Sequence, residues 1–188
     1  MSSWEHPITS VAKIPKINEK AKDFSLKNIY GKNIQLKELL KRGPVILTFY
    51  RGGWCPYCNL QLRNLQSEVV PVLKQKNGKL VAISVDQVNE ALKTKSSQNL
   101  DMIIISDPKA TLLKEFKIVN QMSDELVKEY KTYYYIDIEG SSGEKHHMIA
   151  VPSVFIISKN RKIIFSYSNK DYKVRAENSK IIEALRKN

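Results

Sequence analysis

Cysteine is scarce in this sequence. Two of the 188 residues are cysteines, Cys55 and Cys58, and they lie three positions apart. A pair this close closes no long loop, so a disulfide between them adds little to the stability of the fold. The scarcity also excludes the small, disulfide-dense scaffolds of secreted proteins. We therefore expect the two thiols to serve chemistry rather than stability.

Long hydrophobic runs are absent as well. No stretch of about 18 or more apolar residues occurs, so no membrane-spanning helix is expected. The first residues also lack the basic and then apolar pattern of a secretory signal. These two absences predict a soluble, cytoplasmic protein without a membrane partner.

Acidic residues are few relative to basic ones. There are 19 Asp and Glu residues against 31 Lys and Arg residues, which gives a formal charge of +12. Such a charge attracts nucleic acid, anionic membranes, acidic proteins and anionic small thiols alike. The lysines are spread among acids, without a block of like charge or an aromatic-basic repeat. We interpret the charge as a solvated basic surface and expect no nucleic-acid partner.

Apolar residues follow the periods of alternating strands and helices. Strands are predicted over residues 45–50, 79–85, 102–106, 154–158 and 162–167, and helices over residues 58–76, 88–97, 108–116 and 179–187. Asp107 is predicted to cap the third of these helices. The alternation predicts a single α/β domain over residues 21–188, in which a central sheet carries helices on its faces.

Other parts of the chain have weaker patterns. Residues 1–20 mix prolines and polar residues, which predicts an N-terminal arm. Two short strands and a brief helix are predicted within residues 23–41. A helix is predicted over residues 123–130 and a loop over residues 140–143. Pro71 is expected to kink the helix that follows the cysteines.

The segment WCPYC at residues 54–58 carries the chemistry. It joins a predicted buried strand to a predicted helix, which puts at least one sulfur at the helix N-terminus. Unpaired backbone amides and the helix dipole favour an anion there. A free thiol of pKa about 8.5 is roughly 3% ionised at pH 7, whereas one lowered to about 7 is half ionised. The sequence therefore predicts a reactive dithiol with Cys55 and Cys58 as the catalytic pair.

The residue types around the pair suit such a site. Trp54 and Tyr57 are expected to shield the sulfurs, and Arg51 places a fixed cation near them. The glycines at positions 52 and 53 fit a tight turn or the close approach of a substrate. Pro152 stands just before a predicted strand, where proline is either an ordinary edge residue or part of a cis peptide bond.

Two other interpretations of the cysteine pair stay open at this point. The pair could form half of a zinc site completed by His146 and His147, although adjacent histidine side chains diverge. It could also be an inert pair packed in the core, since free cysteine is commonly buried.

Three segments carry a resemblance to a known family: DFSL at residues 23–26, YRGGWCPYC at residues 50–58 and VPSVF at residues 151–155. They resemble peroxiredoxin-like proteins of the alkyl hydroperoxide reductase and thiol-specific antioxidant group. The resemblance implies a thioredoxin-like fold with a central mixed sheet, and it implies a cis-proline at Pro152 beside the active site. Residues 171–177 also resemble the C-terminal signature of this subgroup.

The resemblance further implies a peroxidase mechanism. Cys58 falls where peroxiredoxins have the cysteine that attacks peroxide, and Cys55 falls where their motif has threonine. Cys58 is then oxidised by a hydroperoxide to a sulfenic acid, and Cys55 condenses with it to a disulfide. A thioredoxin-like or glutathione-type reductant restores both thiols. Neither a cofactor nor a metal is expected.

The sequence also departs from the family pattern. Arg51 replaces the motif proline, and Pro152 stands where many members have an activating arginine. We hypothesise that Arg51 takes over the role of that arginine by stabilising thiolate and peroxide.

Two further functions remain as alternatives. The sequence Cys-Pro-Tyr-Cys is also that of glutaredoxin-type active sites, which predicts a protein disulfide oxidoreductase with Cys55 as the attacking thiol. A redox-sensing binding module, whose disulfide alters a basic surface, is the other alternative. The oligomeric state stays open, with a dimer as one option.

Overall fold

The computed structural model describes residues 14–188. Residues 1–13 of the predicted N-terminal arm lie outside the described residues. The remainder of the arm lies along the last strand of the sheet. The amide of Asn18 donates to the carbonyl of Ile163 at 2.8 Å, and the amide of Ile163 donates to the carbonyl of Glu19 at 2.9 Å. This part of the arm is therefore tied to the domain through its backbone.

Strands and helices alternate along the chain. The strands are β1 Ser25–Lys27, β2 Asn33–Gln35, β3 Val45–Phe49, β4 Lys79–Ser84, β5 Ile103–Ser106, β6 Val119–Gln121, β7 Met148–Ala150, β8 Ser153–Ile157 and β9 Ile163–Ser168. The helices are α1 Leu36–Leu40, α2 Pro56–Asn64, α3 Val70–Gln75, α4 Val88–Ser97, α5 Thr111–Glu115, α6 Asp124–Tyr133, α7 Ile138–Ser142 and α8 Asn178–Arg186. Within residues 14–188, none of these helices has the length and apolar character that crossing a membrane requires.

The central sheet has the strand order β5-β4-β3-β8-β9. Strands β3, β4 and β5 are parallel, while β8 runs antiparallel to β3 and β9 antiparallel to β8. Every residue of β3 is buried, which explains why its sequence is continuously apolar rather than alternating. The prediction of a mixed sheet flanked by helices is confirmed, and its middle strand leads directly to the cysteines.

Each face of the sheet packs against a separate apolar core. On one face, the ring of Phe49 lies 5.1 Å from that of Phe116 in the segment after α5. On the other face, Ile46 and Tyr50 pack with residues of α2, α3 and α8. Both cysteines belong to this second core. Each large apolar side chain buried there contributes roughly 1.5–3 kcal/mol, so the dithiol lies within a tightly held part of the molecule.

The helix predicted over residues 58–76 is interrupted. It begins at Pro56 and continues as α2, and a π-helical turn over Leu65–Val69 then joins α2 to α3. Pro71 stands in the first turn of α3, where it has no amide for the helical ladder. The widened turn just before it accommodates this loss. The helix widens next to Pro71, and the kink expected there stays a prediction.

Two local predictions are wrong, and one short pair of strands was not predicted. The predicted loop over residues 140–143 is mostly helix, because the Asp137 carboxylate accepts from the Gly140 amide and caps α7. Gly143 then ends that helix with a φ of +71°. The helix predicted from residue 108 begins only at Thr111, because Ala110 has a φ of +55°. The short pair β6 and β7 was not predicted, since strands this short carry little periodicity.

The implied cis-proline is also wrong. All peptide bonds between residues 14 and 188 are trans, including the one before Pro152. The amide of Val151 donates to the carbonyl of Ile118 at 2.8 Å, and Ser153 begins β8. Pro152 lies in the two-residue link between β7 and β8, with the trans bond that most X-Pro pairs adopt.

We predict that Asp107→Ala lowers the free energy of unfolding by about 1–2 kcal/mol. The buried carboxylate accepts from the Thr111 amide at 2.9 Å and from the Leu112 amide at 2.8 Å, and alanine leaves both donors without a partner. Urea unfolding measures the effect. Ser123→Ala, which removes a single cap bond of 3.2 Å at α6, is the matched control. If Ser123→Ala lowers the free energy of unfolding as much as Asp107→Ala or more, the two bonds of Asp107 do not explain its effect.

Candidate active site

The two cysteines lie where the chain leaves β3 and enters α2. Cys55 occupies the N-cap position of α2, and Cys58 lies in its first turn. Both are free cysteines, and the Cys58 thiol donates to Cys55 Sγ across 2.7 Å. A disulfide requires a separation of about 2.05 Å, so a small local movement closes the bond. The arrangement is that of a dithiol able to cycle with its disulfide.

The two thiols differ in their ionisation. The pKa of Cys55 is lowered to about 6, mainly by the hydrogen bond from Cys58, with the charges of Arg51 and Arg175 adding to the effect against burial. The pKa of Cys58 is raised, first by burial and then by its bond to the charged Cys55. At pH 7 a thiol with a pKa of about 6 is about 90% ionised. The pair therefore carries its thiolate on Cys55 and its proton on Cys58.

The turn before Cys55 is held from two sides. The amide of Gly53 donates to Asp86 Oδ2 at 2.8 Å, and Asn59 Nδ2 donates to the carbonyl of Gly53 at 2.8 Å. A Cβ atom at position 53 would collide with the side chain of Thr94 on α4. Gly53 is therefore required for close packing of the turn against α4.

Asp86 is the buried anchor of this turn. Its side chain is 1% exposed, and its Oδ1 atom has no hydrogen-bond partner. Burial raises the pKa of this carboxyl to about 7, against the opposing hydrogen bond from Gly53. A carboxyl group in this setting binds the turn while remaining largely out of contact with water.

Arg51 is enclosed by aromatic rings. Its guanidinium lies 4.2 Å from the ring centroid of Tyr172 and 4.9 Å from that of Trp54. Nη2 donates to the hydroxyl of Tyr130 at 2.7 Å. Its charge acts on Cys55 at longer range, through the lowered pKa of that thiol. The structure thus places Arg51 near the dithiol, with its guanidinium among aromatic rings and its Nη2 bonded to Tyr130.

Sequence reasoning missed Arg175, which contacts the sulfurs. Arg175 Nη2 lies 3.3 Å from Cys58 Sγ and 4.0 Å from Cys55 Sγ. Nη1 donates to Gln61 Oε1 at 2.7 Å, so a residue of α2 orients the guanidinium. The residue belongs to the segment between β9 and α8. The resemblance of residues 171–177 to a family signature was the available signal, but it gave no indication of contact with the cysteines.

The remaining predicted site residues lie at different distances from the pair. Tyr57 is 42% exposed, and its ring contacts that of Tyr172 edge-on at 5.7 Å. Trp54 packs edge-on against Tyr130 at 6.0 Å. Pro152 precedes Ser153, which pairs with Phe49 across β8 and β3. That pairing puts Pro152 at the end of the sheet where the dithiol also lies.

The two histidines are held by other partners. His147 lies between the carboxylates of Asp124 and Glu139, at 3.0 and 2.7 Å. His146 contacts the carbonyl of Pro108 through Nε2. In the described part of the chain, no group of three or more His, Cys, Asp or Glu side chains is arranged to hold a metal ion.

We predict that a single thiolate titrates in the reduced protein with a midpoint of about 6. Ultraviolet thiolate absorbance followed against pH measures it. Cys55→Ser abolishes this transition because it removes the ionising group. Cys58→Ala moves the midpoint upward, since the main hydrogen bond to the Cys55 thiolate is lost. A midpoint near 6 that persists in Cys55→Ser would assign the thiolate to Cys58.

Comparison with known proteins shows which proteins this chain is similar to. Peroxiredoxin bcp of Helicobacter pylori is 28% identical over 170 residues, which cover 90% of this chain and 97% of that protein. Thiol-disulfide oxidoreductase ResA of Bacillus cereus is 29% identical over 130 residues, 69% of each chain. The crystal structure of peroxidoxin BcpB from Mycobacterium tuberculosis superposes with a TM-score of 0.68 at 22% identity, over 92% of this chain and 97% of that one. The fold is thioredoxin-like, as the resemblance implied. Residues 17–166 match the model of the AhpC/TSA family, and the chain belongs to that family.

Proposed function

We propose that the protein is a thiol-dependent peroxidase that reduces hydrogen peroxide or organic hydroperoxides through Cys55 and Cys58. One observation carries the proposal: two sulfurs 2.7 Å apart, with the thiolate on one and the proton on the other. Membership of the AhpC/TSA family and a relative named as a peroxiredoxin support it.

The oxidative half-reaction consists of two displacements. The Cys55 thiolate attacks one oxygen of the peroxide, so a sulfur–oxygen bond forms while the O–O bond breaks. The departing oxygen takes a proton from solvent and leaves as water or an alcohol. Cys58 then attacks the sulfur of the Cys55 sulfenic acid, so the disulfide forms and a water molecule leaves. Both sulfurs have been oxidised and the peroxide reduced.

The roles of the cysteines differ from those implied by the family resemblance. That resemblance assigned the attack to Cys58. The thiolate is the nucleophile, however, and the charge distribution of the site favours Cys55 because Cys58 donates to it. Cys58 keeps its proton, which suits the resolving role.

An external thiol completes the cycle. A thioredoxin-like protein or a glutathione-type thiol reduces the disulfide. The charge of +12 favours the approach of an acidic or anionic donor. We also propose a cytoplasmic location, because a dithiol of this kind depends on a reducing compartment.

A second function has its own support. The N-cap position of the Cys55 thiolate and the exposed Tyr57 beside it also suit attack on a disulfide of another protein. ResA, one of the relatives, is named as a thiol-disulfide oxidoreductase. Reduction of insulin disulfides, compared with peroxide consumption by the same preparation, discriminates between the two activities.

We predict that Cys55→Ser abolishes peroxide consumption and that Cys58→Ser still reacts once with peroxide. The first variant lacks the nucleophile, while the second retains it but has no partner for the disulfide. Stopped-flow mixing of reduced protein with hydrogen peroxide measures the reaction. A sulfenic-acid reagent combined with mass spectrometry then locates the oxidised sulfur on Cys55 in Cys58→Ser.

Two results would contradict this proposal. A sulfenic acid found on Cys58 in Cys55→Ser, formed at the wild-type rate, would return the attacking role to Cys58. Peroxide reactivity no greater than that of a free thiol, together with efficient insulin reduction, would replace the peroxidase by the disulfide oxidoreductase.

A further inference from the structure

Two arginines act on the dithiol, and they do so differently. Arg51 is held by Tyr130 and by the rings of Trp54 and Tyr172, and its charge lowers the pKa of Cys55. The charge of Arg51 is also coupled to Cys58, and the charge of Arg175 lowers the pKa of both cysteines, so the two arginines differ in their contacts rather than in the thiols they act on. Arg175 also lies nearer to Cys58 Sγ, at 3.3 Å, than to Cys55 Sγ, at 4.0 Å.

Reduction of the disulfide requires that the departing sulfur be stabilised as a thiolate. Both sulfurs are buried, and we take Cys55 as the attacked sulfur because it lies at the N-cap of α2, next in the turn to the exposed Tyr57. Cys58 is then the departing sulfur. A sulfur of high pKa is a poor leaving group in thiol–disulfide exchange. Burial raises the pKa of Cys58, so its departure as a thiolate needs a cation beside it.

Arg175 is placed and charged to meet that requirement. Gln61 orients the guanidinium by accepting from Nη1 at 2.7 Å, and Nη2 points at the sulfurs. The buried Nε has no hydrogen-bond partner. Among residues 14–188, no carboxylate forms an ion pair with Arg175, so its charge remains available to the sulfurs.

We propose that Arg175 is a catalytic residue of the reductive half-reaction, in which it stabilises Cys58 as the departing thiolate. The inference rests on the dithiol cycle proposed above. The donor thiolate forms a sulfur–sulfur bond with Cys55 while the Cys55–Cys58 bond breaks, and the electron pair goes to Cys58. A second donor thiol then attacks the mixed disulfide and releases Cys55. Two donor thiols are oxidised and the protein disulfide is reduced.

The test compares the two half-reactions in Arg175→Met. Protein oxidised beforehand with diamide is mixed with excess 2-mercaptoethanol, and the appearance of protein thiols is followed. We expect reduction to slow about tenfold, because losing a nearby cation raises the pKa of the departing sulfur by roughly 2. Oxidation of the reduced variant by hydrogen peroxide is expected to change less than about threefold, since Arg51 and the Cys58 hydrogen bond still support Cys55.

Matched variants control the experiment. Arg63→Met removes an arginine from the exposed face of the same helix α2 and is expected to leave both rates unchanged. Arg175→Lys keeps the charge and is expected to restore part of the reduction rate. Gln61→Leu leaves the cation but removes its acceptor, so it should slow reduction less than Arg175→Met does. These variants keep the test decisive if Arg175→Met does not fold.

Several outcomes would overturn the proposal. They are an unchanged reduction rate in Arg175→Met, an equal slowing of both half-reactions, and an equal slowing in Arg63→Met. Diamide forms the disulfide without any peroxidase activity, so the reductive step can be measured whether or not the protein reduces peroxide. Failure of the peroxidase proposal and failure of the Arg175 proposal are therefore distinguishable.

Discussion

The hydrogen bond between the two sulfurs is the interaction on which the site depends. Two thiols buried in an apolar core cannot both ionise, because a buried charge without compensation costs several kcal/mol. One thiolate is tolerated because Cys58 donates to it across 2.7 Å and two guanidinium groups lie nearby. The same bond makes the sulfurs unequal, with a nucleophile at Cys55 and a proton donor at Cys58.

The surrounding strands and helices keep the two sulfurs 2.7 Å apart. Strand β3 is buried along its whole length, and its neighbours β4 and β8 hold it in register on both sides. The turn that follows is bonded to Asp86, two residues after the end of β4, and to Asn59 of α2. These bonds come from different elements. The position of Cys55 is therefore fixed by the packing at this end of the central sheet.

The sequence predicted those parts of the molecule that depend on local pattern. The apolar run of β3, the periodicity of α4 and α8, and the placement of the cysteines between strand and helix all match the structure. The helical residues at 138–142 were missed, because serine and glycine favour loops and only the Asp137 cap shows otherwise. The trans bond before Pro152 depends on how the chain links two strands, which no local pattern encodes.

Arg175, the cation that contacts the sulfurs, could not be predicted from local sequence pattern. Arg175 lies 117 positions after Cys58, and a sequence gives no measure of which distant arginine reaches a given thiol. Arg51 lies close to the cysteines in sequence and was therefore the predicted cation, but its Nη2 donates to Tyr130 rather than to a sulfur.

This separation has a consequence for the newly made protein. The strand, turn and helix that contain the dithiol emerge from the ribosome long before residue 175 does. Arg175 is made after β8 and β9, so the second cation is the last part of the site to be synthesised. The contact of Arg175 with Cys58 forms only when the segment before α8 has packed, so the end of the chain completes the charge around a dithiol encoded in its first third.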